Sequence, residues 1–212
     1  MKIQLLLILV LLTNLKLLGS SRLGSSIRTV AIQGGLLGLL PLISEIDSLN
    51  WRVLVLSCGT IFLKGFVFTW LLFKAINTAN VSREVQPFAG YISSVLYGIF
   101  ALIVSFWLGQ TLHIGQLADS SLIVSVSFFG IFSGLFLIVS RRRAISQVLG
   151  FLVLENGVFT FGAGIIKTTS LLVEVGILLD IFVALLVMGI TVFRISQECE
   201  HIDTDKLSTL KD

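Results

Sequence analysis

Apolar residues in this chain form long unbroken runs, with polar and charged residues confined to the short stretches between them. The runs do not alternate apolar with polar as the strands of a membrane barrel do, so helices are the expected spanning elements. A helix needs about 20 such residues to cross roughly 30 Å of hydrocarbon. Seven runs meet that length, at residues 3–19, 27–46, 52–75, 87–109, 121–140, 144–166 and 171–193. The predicted fold is therefore all-α, a polytopic membrane helix bundle of about seven transmembrane helices. The connections are too short to hold a soluble domain. The chain divides into an N-terminal five-helix region (1–140), a last helix pair (141–193) for which helix 121–140 is the third member, and a polar tail (194–212).

The first run also has the look of a signal peptide, with Lys2 ahead of a leucine-rich stretch. No cleavage site of the A-x-A kind follows closely, the nearest approach being LLGSSRLGSS, so the segment is expected to be retained.

Composition strengthens the membrane reading. The chain is 55% hydrophobic and only 13% charged, with a mean hydropathy of +1.01. The net charge of +3 is too small to mark a nucleic-acid binder, and its distribution is more informative than its size. With the N-terminus outside, the inner segments hold Lys16, Arg22, Arg28, Lys74, Arg83, Arg141, Arg142, Arg143, Arg194, Lys206 and Lys211, eleven basic residues against three outside (Lys2, Arg52 and Lys167). Basic residues favour the cytoplasmic side. The alternation thus predicts seven spans, N-terminus out and C-terminus in. Arg141 to Arg143 read as a topology anchor at the lipid headgroups, or alternatively as a docking patch for a cytoplasmic subunit.

The chain carries no nucleotide-binding loop, no haem or iron–sulfur cysteine set and no zinc motif. Cys58 and Cys199, with His113 and His201, lack metal-ligand spacing. No bond-making chemistry is expected on this chain. Gly34 with Gly38, and Gly130 with Gly134, are small-xxx-small pairs that fit close helix contact, here read as packing within one bundle.

The unexpected residues are the ionisable ones within the runs: Lys64, Glu155 and Asp180, with Glu174 shallower. A charge at mid-bilayer costs about 2.5–3.5 kcal/mol on insertion scales, so each calls for a partner or a role. At 1.5 Å per residue, Glu155 lies roughly 18 Å from Arg143, Asp180 roughly 21 Å from Arg194 and Lys64 roughly 15 Å from Lys74. All three depths fall near the middle of the hydrocarbon. Burial favours the uncharged form of an acid and a nearby cation favours the charged form, and buried acids under such opposed pulls make proton relays. Gln147 and Asn156 are expected to support Glu155, and Ser57, Thr60 and Thr69 to add polarity around Lys64. A buried ion pair that fixes helix register is the alternative, as is a solvated position for Glu174.

Two stretches, "SRRRAISQVLGFLVLENG" and "EVGILLDIFVALLVMGI", with the tail "HIDTDKLSTLKD", resemble component E of hydrogenase-4, the HyfE family. The triplet Glu155–Gly157, the G-I-x-x-D pattern ending at Asp180 and the lysine of "FLKGF" carry the similarity, which runs from about residue 27 to the end. The last three spans also resemble the NuoK subunit of respiratory complex I and the MrpC subunit of cation/proton antiporters. Aligned on Gly150 and Asn156, the NuoK-type glutamate falls at Leu152, about one turn from Glu155 on the same face.

The resemblance implies an integral subunit of an energy-converting [NiFe]-hydrogenase or formate-hydrogenlyase-like complex in a bacterial or archaeal cytoplasmic (inner) membrane. Its partners would be antiporter-like and NuoH-like membrane subunits and a peripheral hydrogenase arm. The nickel–iron and iron–sulfur centres would lie on those partners, with no cofactor on this chain. Glu155, Asp180, Lys64 and Glu174 would form the proton path. A subunit of an Mrp-type antiporter and a structural scaffold are the rival readings.

Overall fold

A computed structural model of the chain describes residues 2–44, 51–78, 90–112, 120–165 and Gly189. Helices account for nearly all of them, as the apolar runs require, because a backbone in hydrocarbon must satisfy its own hydrogen bonds. The elements are α1 (Lys2–Leu18), α2 (Leu23–Gly38), α3 (Leu40–Ser44), α4 (Trp51–Thr60), a π-helical segment (Ile61–Val67), α5 (Phe68–Thr78), α6 (Tyr91–Thr111), α7 (Ser120–Ser140) and α8 (Ala144–Ile165). Among the described residues, five stretches are long and apolar enough to span a membrane, with the shorter Ile3–Leu18 beside them. The chain is a multi-pass helical membrane protein. The run at 171–193 lies outside the described residues.

Two departures from the simple runs have local causes. The second run begins at Leu23, four residues earlier than expected, and breaks at Leu39, whose N–H donates to Leu36 O and Leu37 O. Pro41 follows, has no N–H to continue the ladder, and sits in the first turn of α3, where that loss costs nothing. The third run is one continuous helix from Trp51 to Thr78, but its centre is wound more loosely. There the N–H of Phe68 reaches back five residues to Leu63 O, so the hydrogen-bonded ring encloses one residue more than in the α-helical flanks.

Helices α7 and α8 pack along each other through glycines. A Cβ on Gly150 would lie 2.8 Å from Ile138 N, one on Gly157 2.7 Å from Ile131 N, and one on Gly134 would collide with the backbone of Leu154. The small residues let the two backbones touch, as in other membrane helix pairs. Gly34 and Gly38 do the same for α2 against the π-segment: a Cβ on Gly38 would fall 2.5 Å from Ile61 Cγ1. Both glycine pairs therefore serve packing inside this chain. Leu18, Ile27, Leu72, Phe129 and Val153 fill the core between these helices. Phe62, Phe66, Trp70, Ile99, Phe100 and Trp107 face outward, as apolar solvent around a bundle would demand.

One end of the bundle gathers the loops 19–22 and 141–143. Gly19 lies against Val95 in the second turn of α6, Gly24 lies against Phe73 in the middle of α5, and the Arg28 guanidinium sits 6.0 Å from the Phe73 ring. Lys16, Arg22, Arg28, Lys74 and Arg141 to Arg143 belong to these helix ends. Arg141 departs from the expected headgroup anchor. It is 3% exposed and turns inward, its Nη2 donating to Leu18 O at 3.2 Å. A cation on the open carbonyls of a helix C-terminus satisfies a backbone acceptor and opposes the helix dipole. Arg142 beside it is exposed.

Candidate functional site

Two of the three ionisable side chains expected in mid-span, Lys64 and Glu155, meet from separate helices. Lys64 Nζ lies 2.5 Å from Glu155 Oε1, although 91 residues separate them along the chain. Lys64 is 5% exposed and Glu155 1%. The glycines of α7 and α8 set the depth of Glu155, and Gly34 lets Lys64 cross α2 to reach it: a Cβ on Gly34 would stand 2.6 Å from the Lys64 Cβ. Phe159, one turn beyond Glu155, places its ring centroid 5.3 Å from Lys64 Nζ. The aromatic face adds attraction for a desolvated ammonium.

Asn156 belongs to the site as expected. Lys64 Nζ donates to its Oδ1 at 3.2 Å. Gln147 does not. Its Nε2 donates to Arg141 O at 3.1 Å near the start of α8, two turns and about 12 Å of helix rise from Glu155. Thr69 is also otherwise engaged, its hydroxyl donating to Gly65 O at 2.8 Å. Ser57 is buried, and its Oγ makes no hydrogen bond among the described residues. Asp180 and Glu174 lie outside the described residues.

Two further residues extend the site. Asn156 Nδ2 donates to Gln33 Oε1 at 3.4 Å, and Gln33 Nε2 donates to Asn14 Oδ1 at 2.9 Å. Both Gln33 and Asn14 are fully buried. The polar line thus crosses from the π-segment through α8 and α2 to α1. A signal for both residues exists in the sequence, since each is an amide interrupting an apolar run, in "LLTNLKLL" and "VAIQGGLL". Attention to charge alone passes over them. Three other buried hydroxyls are absorbed by their own helices: Ser105, Ser127 and Thr160 donate to the carbonyls of Ala101, Ile123 and Asn156. The Asn14–Gln33–Asn156–Lys64–Glu155 line differs because it joins helices rather than folding back on one.

Chemically, the line offers one acid, one cation and three amides in a buried interior. An ion pair there is costly to desolvate and strongly coupled once formed.

The class this defines is a multi-pass helical membrane protein with a charged pair at its centre. No family model matches the chain, and no solved structure matches it. It is similar to Uncharacterized protein Rv0085 of Mycobacterium tuberculosis, 28% identical over 187 residues, which cover 88% of this chain and 85% of the relative.

Proposed function

We propose that this chain is an integral membrane subunit of an energy-converting, [NiFe]-hydrogenase-like complex and contributes to proton translocation through buried carboxylates. The observation that carries the reading is the Lys64–Glu155 pair, brought together from two helices and sealed at 1% exposure of the acid. Intramembrane ionisable residues facing a bundle interior are the usual material of proton relays. The HyfE-like motif residues Lys64, Glu155 and Asn156 fall in one cluster, and the basic helix ends gathered at one pole fit an N-out, seven-span topology. In this reading Asp180 and Glu174 continue the path on the last span. Partner subunits supply the nickel–iron and iron–sulfur centres and the antiporter-like channels, in a bacterial or archaeal cytoplasmic membrane.

The test is Glu155→Gln, assembled in its complex and reconstituted in proteoliposomes. The expected result is loss of proton movement coupled to electron transfer with electron transfer itself retained. Undiminished coupling removes Glu155 from the path. Co-purification of a nickel–iron subunit favours the hydrogenase assignment, and an Mrp-type set alone favours the antiporter assignment.

One observation favours a second reading, a scaffold whose ion pair fixes helix register. The pair is packed between glycine-lined backbones, as a register lock would be. Replacing Lys64 and Glu155 together with apolar residues separates the two. A scaffold assembles and conducts as before, and a relay loses transport.

A further inference from the structure

The three amides of the site are ordered, and lysine dictates the order. An ammonium has three donors and no acceptor. Asn156 must therefore turn its oxygen to Lys64, which leaves its Nδ2 facing Gln33. Gln33 must in turn accept with its oxygen and donate from Nε2, so Asn14 accepts with Oδ1. All three carbonyl dipoles point back toward the ammonium. The reversal shows at the far end: Asn14 Nδ2 is buried and makes no hydrogen bond among the described residues. An aligned chain of this kind strengthens each bond in it, and at its head it solvates a positive charge without a counter-charge.

Two of the acceptors that Lys64 meets differ in kind. One is the Glu155 carboxylate, which stops being a counter-ion when it takes up a proton. The other is the Asn156 oxygen, backed by Gln33 and Asn14, which no proton uptake removes. We propose that Asn156, Gln33 and Asn14 are positioning residues that hold the Lys64 ammonium in place when the Glu155 carboxylate takes up a proton, so that the amide line supports proton uptake at Glu155. This deepens the proton-path reading and rests on it for its purpose.

Among the described residues, the π-segment presents Lys64, α2 presents Gln33 and Gly34, and α7 presents glycines to α8. Lys16, Arg28 and Lys74 lie toward the bundle end where Arg28 meets Phe73 and Lys74 meets Trp70.

The experiment reads the charge state of Glu155 directly. The full chain, in native membranes, is treated with N,N′-dicyclohexylcarbodiimide, which modifies protonated carboxyl groups in apolar surroundings. Labelling of the peptide containing Glu155 is followed by mass spectrometry as a function of pH, with Glu155→Gln as the blank. In Gln33→Met the Asn156 oxygen loses its backing in the line, so protonating Glu155 leaves the ammonium on a weaker acceptor. The half-labelling pH is expected to fall by about one unit, a tenfold change in the protonated-to-ionised ratio. Asn14→Leu, at the far end of the chain, is expected to shift it the same way by less, and keeps the test open if Gln33→Met does not accumulate. An unmoved midpoint in both overturns the proposal. So does labelling that rises at every pH, because the proton is then passing from Lys64 to Glu155 within the pair. Labelling needs no transport, so a failed transport assay with a downward shift overturns the proton-path reading and leaves this one standing.

Discussion

Gly34 of α2 and Lys64 of the π-segment touch backbone to side-chain stem, with room for no atom between them: a Cβ on Gly34 would lie 2.6 Å from the Lys64 Cβ. The absent side chain is what lets the lysine leave its own helix and reach α8. Gly34→Val is therefore expected to push Lys64 off Glu155 and to destabilise the bundle by about 1–3 kcal/mol, the usual penalty of overpacking. Thermal unfolding of the detergent-solubilised chain checks it. Gly35→Ala, whose Cβ would meet nothing within 4 Å, is the matched control and is expected to unfold at the wild-type temperature or above it.

Breaking the Lys64–Glu155 pair from one side is expected to cost more than removing it whole. Glu155→Leu leaves a buried ammonium without its counter-charge, a loss of about 3–5 kcal/mol in comparable sites. The double variant Lys64→Met with Glu155→Leu is expected to recover most of that loss. A double-mutant cycle on unfolding free energies measures the coupling. Additive single effects would mean that the two side chains do not interact.

The α7–α8 contact admits no added volume at Gly134 or Gly157. Gly157→Leu is expected to separate the helices and lower the yield of folded chain several-fold. Crosslinking between cysteines introduced on the outer faces of α7 and α8 reports the separation directly.

Arg141 and Arg142 are adjacent and should behave differently. Arg141→Ala uncovers the Leu18 carbonyl in a buried setting, at a cost of about 1–3 kcal/mol for a buried acceptor that loses its donor. Arg142→Ala, at an exposed position, is expected to stay within about 0.5 kcal/mol of wild type. Equal effects at both positions would contradict the inward course of Arg141.

Much of this architecture is legible in the sequence because hydrocarbon imposes a simple rule. Among the described residues, six apolar runs correspond to helices whose limits are shifted by a few residues, the second run divided at Leu39 and the third wound more loosely at its centre. The depths of Lys64 and Glu155, counted from the basic residues beside them, already place the two at one level. What a depth count cannot contain is direction around a helix axis. Arg141 sits with two other arginines, and nothing in that triplet says that one turns inward. The π-segment is equally silent, since "IFLKGFV" has no composition that separates it from an α-helix. Asn14 and Gln33 were within reach, as amides in oily runs, but their alignment toward Lys64 depends on three helices meeting.

The contact of Arg141 with Leu18, and the burial of Asn14, give the first helix duties that its leader-like leucine run conceals. A secretion vector that trimmed the chain after residue 19, or an N-terminal fusion that dragged this helix out of line, would leave Gln33 without its terminal amide and Arg141 without its carbonyl. Affinity tags for this protein belong at the other terminus.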